Sequence, residues 1–283
     1  MRRWLRRVAV LAAGVAVAAG AAVWIAGRQQ QRIASSFEQR LARMSTLPPS
    51  TELARRGAPA PVERYLRWAL PEGAELATVR LQQEGSLRTD VHSGRWMRFT
   101  ATHIATASIP GFFWNARVTV APLIHVRIFD TFVDGTGSGR VSLLSAIPMS
   151  KDEGTSEMNS GSLHRYLAEA PWYPTALRPS DGLTWTAIDA TRALATLRDH
   201  EISVSLEFRF DESGAITAIY TPGRWGSFAN GYHQLPWEGH FRDYVRHQGI
   251  AIPTNADVGW YVDGPWQPVW KGHVEGFEVR ATR

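Results

Sequence analysis

The feature that most constrains this chain is an alternation of apolar and polar residues that begins at residue 77. Between residues 202 and 210, apolar side chains occupy every second position, and the polar turn 211–214 leads into another apolar series. A period of two is typical of strands with one buried face, and short turns join antiparallel neighbours. Comparable runs start near residues 78, 97, 112 and 124. Further strands are predicted near 139–147, 183–188, 192–198, 236–246, 250–262 and 268–280. The pattern predicts a mainly β fold with one large antiparallel sheet.

One helix interrupts the strands. Leu163, Tyr166, Leu167 and Ala170 share a helical face, Ser160 or Ser162 can cap its start, and Pro171 ends it. An apolar helix face must pack on something, and the concave face of the sheet is the largest apolar surface available. The inserted helix is therefore predicted to lie across that face, as a plug or lid.

The N-terminal segment predicts a membrane anchor. Residues 8–27 are apolar and uncharged, and a helix of that length spans a hydrocarbon core of about 30 Å. The arginines in residues 1–7 predict a cytoplasmic tail, because clustered basic residues stay inside. We therefore expect a single-pass inner-membrane protein whose domain, residues 61–283, lies outside the cytoplasm. A cleaved signal peptide is the alternative, although its apolar core is shorter, about 7–15 residues.

Residues 28–60 are predicted to form a helical stalk and linker. Ile33, Phe37, Leu41 and Met44 follow a four-then-three spacing that is typical of a helix, and prolines interrupt the chain near residues 48 and 59. A second short helix is predicted between Pro61 and Leu70, with proline in its first turn.

Composition excludes several classes of function. The chain has no cysteine, which excludes disulfides and thiolate metal sites. The net charge is +5, but residues 1–43 hold eight arginines and one acid, so the remainder holds 23 basic and 25 acidic residues. Without a basic domain surface, we expect no nucleic-acid partner. Protein partners and oligomeric state are not predicted.

No catalytic or metal site is predicted, and no cofactor. The glycines of 135–139 lack the Lys-Ser/Thr of a phosphate loop and are interpreted as a hairpin turn. None of the nine histidines has the spacing of a helical metal pair. Glu169 and Glu238, each close to a tryptophan, could act as acids, although a structural role is favoured for both.

Aromatic residues are the best candidates for a binding site. Ten of the twelve tryptophans lie beyond the N-terminal segment, where they either fill a β core or line an apolar cavity. Pro171 and Pro174 stiffen the turn after the inserted helix. The residues predicted to line a cavity for an apolar ligand are Phe112, Trp114, Tyr166, Trp172, Tyr173 and Trp237.

Four stretches resemble an uncharacterised bacterial family, a domain of unknown function. They are residues 62–71, 79–85, 236–244 and, most specifically, 165–177, which reads RYLAEAPWYPTAL. The resemblance covers about residues 60–280 and implies no activity or cofactor. More loosely, a long antiparallel meander with an inserted helix is similar to the half-barrels of bacterial lipoprotein carriers, which hold acyl chains beneath a helical lid. That analogy implies a curved, half-barrel-like sheet.

Three functions remain open from the sequence. The leading hypothesis is a membrane-anchored envelope protein, held through residues 8–27, that binds an apolar or lipid ligand in the curved sheet. The alternative is a non-catalytic structural or interaction module with a filled core. The third is an enzyme of unrecognised type, acting through Glu169 or Glu238.

Overall fold

The computed structural model describes residues 2–46 and 57–281. These described residues form three α-helices and thirteen strands. The helices are α1 (Arg2–Met44), α2 (Ala60–Ala69) and α3 (Ser156–Glu169). The strands are β1 (Leu76–Leu87), β2 (Met97–Thr106), β3 (Gly111–Ala121), β4 (Ile124–Val133), β5 (Thr136–Leu143), β6 (Ile147–Glu153), β7 (Leu183–Ala187), β8 (Arg192–Asp199), β9 (Ile202–Phe210), β10 (Ile216–Phe228), β11 (Gly231–His247), β12 (Ile250–Tyr261) and β13 (Trp266–Ala281).

All thirteen strands form one antiparallel sheet, as the alternation predicts. Their order is β6-β5-β4-β3-β2-β1-β13-β12-β11-β10-β9-β8-β7. Two meanders, β1 to β6 and β7 to β13, are joined where β1 pairs with β13. The edges are β6 and β7, and the segment that connects them contains α3 and two short 3-10 turns, Ala170–Trp172 and Pro174–Leu177.

The sheet curls around α3 into a half-barrel. This one helix contacts β4 and β5 on one side and β8, β9 and β10 on the other. In a flat sheet β4 and β10 would be about 34 Å apart, seven steps at about 4.8 Å each, whereas a helix is only about 10–12 Å wide. Contact with both sides therefore requires a strongly curved sheet with α3 across its concave face, as predicted.

Alternation along each strand separates the two faces. On β9, Leu206 and Phe208 are completely buried, while Glu207 and Arg209 are partly exposed. The buried set joins the concave residues of the other strands in one apolar core with α2, α3 and the 3-10 turns. In strands such as β9, which give one face to this core, the period of two in the sequence reflects the burial of the concave face.

Glycines let α3 approach the sheet closely. A β-carbon at Gly137 would lie 2.9 Å from the carbonyl oxygen of Met158, and one at Gly161 would lie 2.7 Å from that of Trp225. The helix begins earlier than the sequence predicts, because the side chain of Thr155 caps it by accepting a hydrogen bond from the Met158 amide, in place of Ser160 or Ser162.

Several strand boundaries differ from those predicted. The run 139–147 is two strands, β5 and β6, joined by a turn, and β10 extends beyond residue 220 to Phe228. Asp134 and Gly135, with φ of 52° and 73°, form the turn between β4 and β5, so the hairpin interpretation of the glycine-rich segment is confirmed. Gly137 and Gly139 then lie within β5 itself.

Helix α1 is continuous from Arg2 to Met44, so residues 28–44 extend the helix that includes 8–27. Its stripe of Ala34, Phe37, Leu41 and Met44 packs on apolar side chains of the convex face, among them Phe113. Two ion pairs flank this contact, Arg40 with Asp134 at 2.8 Å and Arg80 with Glu38 at 3.0 Å. The predicted stalk is thus docked on the sheet.

Within residues 2–46 and 57–281, no helix combines the length and the apolar character needed to cross a membrane. The side chains of residues 1–19, 22 and 23, which include most of the predicted span 8–27, lie outside the described residues, as do the linker residues 47–56. Helix α2 begins at Ala60, and its Val62, Tyr65 and Ala69 are buried in the core.

Candidate functional site

A cavity of about 260 Å³ lies between α3 and the concave face of the sheet. Four indoles dominate its wall, those of Trp114, Trp172, Trp237 and Trp270. The remaining apolar lining comes from Leu87, Ala168, Ile219, Phe241, Ala256, Val258 and Val269, and the polar lining from Arg88, Asp130, Arg165, Glu169 and Arg224. The cavity is therefore mostly apolar, with charged groups contributed by both α3 and the sheet.

Three of the predicted binding residues line this cavity, namely Trp114, Trp172 and Trp237. The Trp172 Nε1–H donates to the carbonyl oxygen of Pro253 at 2.9 Å, and the Trp114 Nε1–H donates to Gln83 Oε1 at 3.0 Å. With their N–H groups satisfied, these indoles present apolar ring surface to the cavity.

The other three predicted residues, Phe112, Tyr166 and Tyr173, do not line the cavity. Their side chains are buried in the core. Tyr166 Oη donates to the carbonyl oxygen of Thr106 at 2.9 Å, and Tyr173 Oη donates to that of Tyr166 at 2.5 Å. These two tyrosines tie α3 and the turn after it to the sheet, so they hold the cavity wall in place.

Arg165 organises the charged side of the cavity. Its guanidinium donates to Asp130 Oδ2 at 2.5 Å and to Glu169 Oε1 at 2.8 Å, and it stacks over the rings of Phe112 and Trp114, each at 5.0 Å. Burial alone would lower the pKa of Arg165, but the two carboxylates raise it above its ordinary value. Burial raises the pKa of Glu169, against the opposing effect of Arg165.

His103 lies behind Glu169, with its Nε2 at 3.3 Å from Glu169 Oε2. The imidazole is completely buried, and neither ring nitrogen makes a hydrogen bond of good geometry with a described residue. Burial, helped by Arg165, lowers the pKa of His103 to about 3, so the ring is neutral at pH 7. A side chain with no exposed surface cannot touch a substrate in this conformation, so the pair does not form an open acid–base site.

The sequence did not predict that Arg224 lies at the cavity. The side chain reaches the cavity because β10 has a bulge, in which Thr221 pairs with Trp237 but Arg224 pairs with Leu235. The extra residue shifts Arg224 onto the concave face. There the guanidinium stacks over Trp237 at 4.9 Å and Trp260 at 5.3 Å. Pro222-Gly223 was the available signal, since both residues are typical of irregular positions in strands.

Glu238, the second candidate acid, lies on the convex face. Its carboxylate accepts hydrogen bonds from His240 at 2.8 Å and from Tyr261 at 3.0 Å. His240 also contacts Asp257 at 2.9 Å, and this bond and the one to Glu238 raise its pKa. Glu169 and Glu238 are on opposite sides of the sheet and cannot act as a catalytic pair. Among the described residues, no cluster of carboxylates and histidines is suited to a metal ion.

The sequence profile of DUF6920, described as a family of unknown function, matches residues 56–278. The chain belongs to this family. The resemblance inferred from the four sequence stretches is thereby confirmed. No curated protein matches the chain.

Several solved structures are similar to this DUF6920 chain in fold. A LolA superfamily protein from Nitrosomonas europaea is 8% identical, with 80% of this chain and 94% of that chain covered and a TM-score of 0.41. A putative outer membrane lipoprotein-sorting protein domain from Vibrio parahaemolyticus is 10% identical, with 80% and 93% covered and a TM-score of 0.46. A DUF1329 family protein from Desulfovibrio piger is 9% identical, with 79% and 94% covered and a TM-score of 0.44. At these values the likeness does not extend to function.

In this DUF6920 protein an open groove of about 290 Å³ adjoins the cavity. Asp130 and Arg224 line both spaces. The groove's other polar residues include Arg140, Asp152 and Glu157. The cavity and the groove therefore meet at one carboxylate and one guanidinium.

Proposed function

We propose that this protein binds a single apolar chain, such as an acyl chain, in the cavity beneath α3. The observation that carries the proposal is the cavity wall of four indoles, in which the N–H groups of Trp114 and Trp172 are satisfied by hydrogen bonds. Pockets for small molecules are mostly apolar with a few placed polar groups, which describes this lining. The volume of about 260 Å³ is just below the usual range of about 300–1,000 Å³, and it favours one short chain over several.

The same proposal places the domain outside the cytoplasm, anchored through residues 8–27. Its support is the uncharged apolar length of that segment and the arginines before it. A reporter fused after Arg283 tests the orientation in cells. Activity is expected only from a reporter that works outside the cytoplasm, and activity from a cytoplasmic reporter would reverse the orientation.

Photolabelling of the full-length protein in lipid nanodiscs tests binding. The probe is decanol with a diazirine in its chain, and labelled peptides are identified by mass spectrometry. We expect label on the peptides that contain Trp172 and Trp237. Ala168→Leu, on the helix wall, and Ala256→Leu, on the sheet wall, each fill part of the cavity and should reduce this label at least fivefold.

Ala168→Ser is the matched control, since it changes the same position with little change in volume and should keep the label. Thermal stability of each variant shows whether it is folded. Folded wild-type protein without label at the cavity peptides would instead support the structural module with a closed core. Equal labelling of the wild type and both filled variants would place the probe elsewhere and contradict the proposed site.

A further inference from the structure

We propose that Arg224 binds the anionic headgroup of a single-chain amphiphile, a carboxylate or a phosphate monoester, whose chain occupies the cavity. This inference rests on the proposed function and names the ligand class for the same site. It assigns a role to a residue that the binding of an apolar chain alone does not need.

The sheet is deformed to bring Arg224 to this place. Without the bulge, strict alternation from Ile219 and Thr221 would put Gly223 on the concave face and Arg224 on the convex face, in solvent. Placing a guanidinium among indoles removes water from it, which is unfavourable unless its donors find acceptors. The bulge therefore brings a charged group to an apolar wall where packing would favour an apolar side chain.

The donors of Arg224 are incompletely used. One terminal nitrogen donates to the carbonyl oxygen of Gly161 at 3.1 Å, while the Nε is buried without any acceptor among the described residues. Arg224 forms no salt bridge with a described carboxylate, because Asp130 and Glu169 are both engaged by Arg165. The side chain lines both the cavity and the groove, so an oxyanion there would accept from the terminal nitrogens and supply the missing negative charge, while the Nε stays buried.

The position of Arg224 fixes the orientation of the ligand. It stands at the junction of the open groove and the apolar cavity. A headgroup at this junction faces solvent through the groove, and the attached chain points to the indoles. Asp152 and Glu157 line the groove beyond and Asp130 lies at the junction itself. A carboxylate, with one negative charge, therefore fits better than a phosphate monoester, whose charge at pH 7 is about −1.5 to −2.

The test compares two diazirine probes with the same chain, decanoic acid and decanol, on the full-length protein in nanodiscs. In the wild type the acid should label the cavity peptides at a concentration at least about tenfold lower than the alcohol, the size of one charge-assisted hydrogen bond. Arg224→Met should abolish this preference, so that the acid labels the cavity peptides at no lower concentration than the alcohol. Two further compounds distinguish a lipid headgroup from an isolated anion. Free phosphate, added as a competitor, tests for binding of the anion alone, and decyl phosphate tests for binding of the anion on a chain.

Arg246→Met is the matched control. Arg246 also stacks on an indole, that of Trp68 at 5.7 Å, but it lies outside the cavity, so its loss should leave the preference for the acid intact. If both probes label the wild type equally, or if Arg224→Met keeps the preference, the headgroup assignment is wrong while the apolar site stands. If neither probe labels the cavity, the proposed function itself fails. Should Arg224→Met not fold, Arg224→Gln, which keeps a donor, is expected to weaken the preference without abolishing it.

Discussion

Replacing one glycine of β5 tests whether α3 lies directly on the concave face. Gly137 and Gly139 have the same orientation on the strand, and neither has a positive φ that would strain alanine. A β-carbon at Gly137 would lie 2.6 Å from Ser162 Oγ and 2.9 Å from the Met158 carbonyl oxygen, which belongs to the helix backbone. At Gly139 the nearest atom is the terminal methyl of Met158, at 3.0 Å, which can move.

The expected magnitudes differ for this reason. Overpacking typically costs about 1–3 kcal/mol, and replacing glycine recovers about 0.4–1 kcal/mol by restricting the unfolded chain. Gly137→Ala should therefore lose about 1–2 kcal/mol, which is about 2–8 °C in Tm for a domain of this size. Gly139→Ala should be neutral or slightly stabilising.

The assay is thermal unfolding of the full-length protein in nanodiscs, followed by tryptophan fluorescence, for the wild type and both variants. Equal losses for Gly137→Ala and Gly139→Ala, or a larger loss for the second, would refute the reasoning. In that case the helix would not rest on β5 through Gly137, and the cavity beneath α3 would have a different shape.

Three other substitutions test separate parts of the structure. His103 has a pKa of about 3 in the folded chain, against an ordinary value of 6.5. The folded state therefore loses stability as the pH falls below 6.5, by about 1.4 kcal/mol at pH 5.5. His103→Leu should remove that loss, which would be seen as a smaller decrease in Tm between pH 7.5 and pH 5.5. Leu41→Asp buries a charge between α1 and the sheet and should lower the Tm by several degrees, whereas Arg43→Asp, at an exposed position, should not. Leu206→Asp should prevent folding, and Arg209→Ser should be mild; similar effects would mean that β9 is buried on both faces.

The strands with one buried face could be predicted because burial itself produces the alternation. β9 is the clearest case, with Leu206 and Phe208 in the core. The edge strand β6 gave no such signal, because all seven of its residues are exposed. Its existence depends on pairing with β5, a tertiary contact that local sequence does not encode.

The candidate site was predictable only in part, because it too depends on tertiary contacts that local sequence does not encode. Trp172 follows α3 in a proline-bracketed turn, so its place in the cavity wall could be inferred. Phe112 alternates correctly with Trp114, but its position beneath α3 depends on how far the helix reaches along the strand. Arg224 was hidden because a bulge reverses the face of every residue after it.

Native mass spectrometry of the full-length protein, equilibrated with decanoate in nanodiscs and then released, tests the central claim most directly. We expect one bound decanoate per wild-type chain and none for folded Ala168→Leu, because the leucine occupies the cavity. Wild-type protein that shows only its own mass, or an equal bound fraction in both proteins, would contradict the claim that this cavity binds an apolar chain.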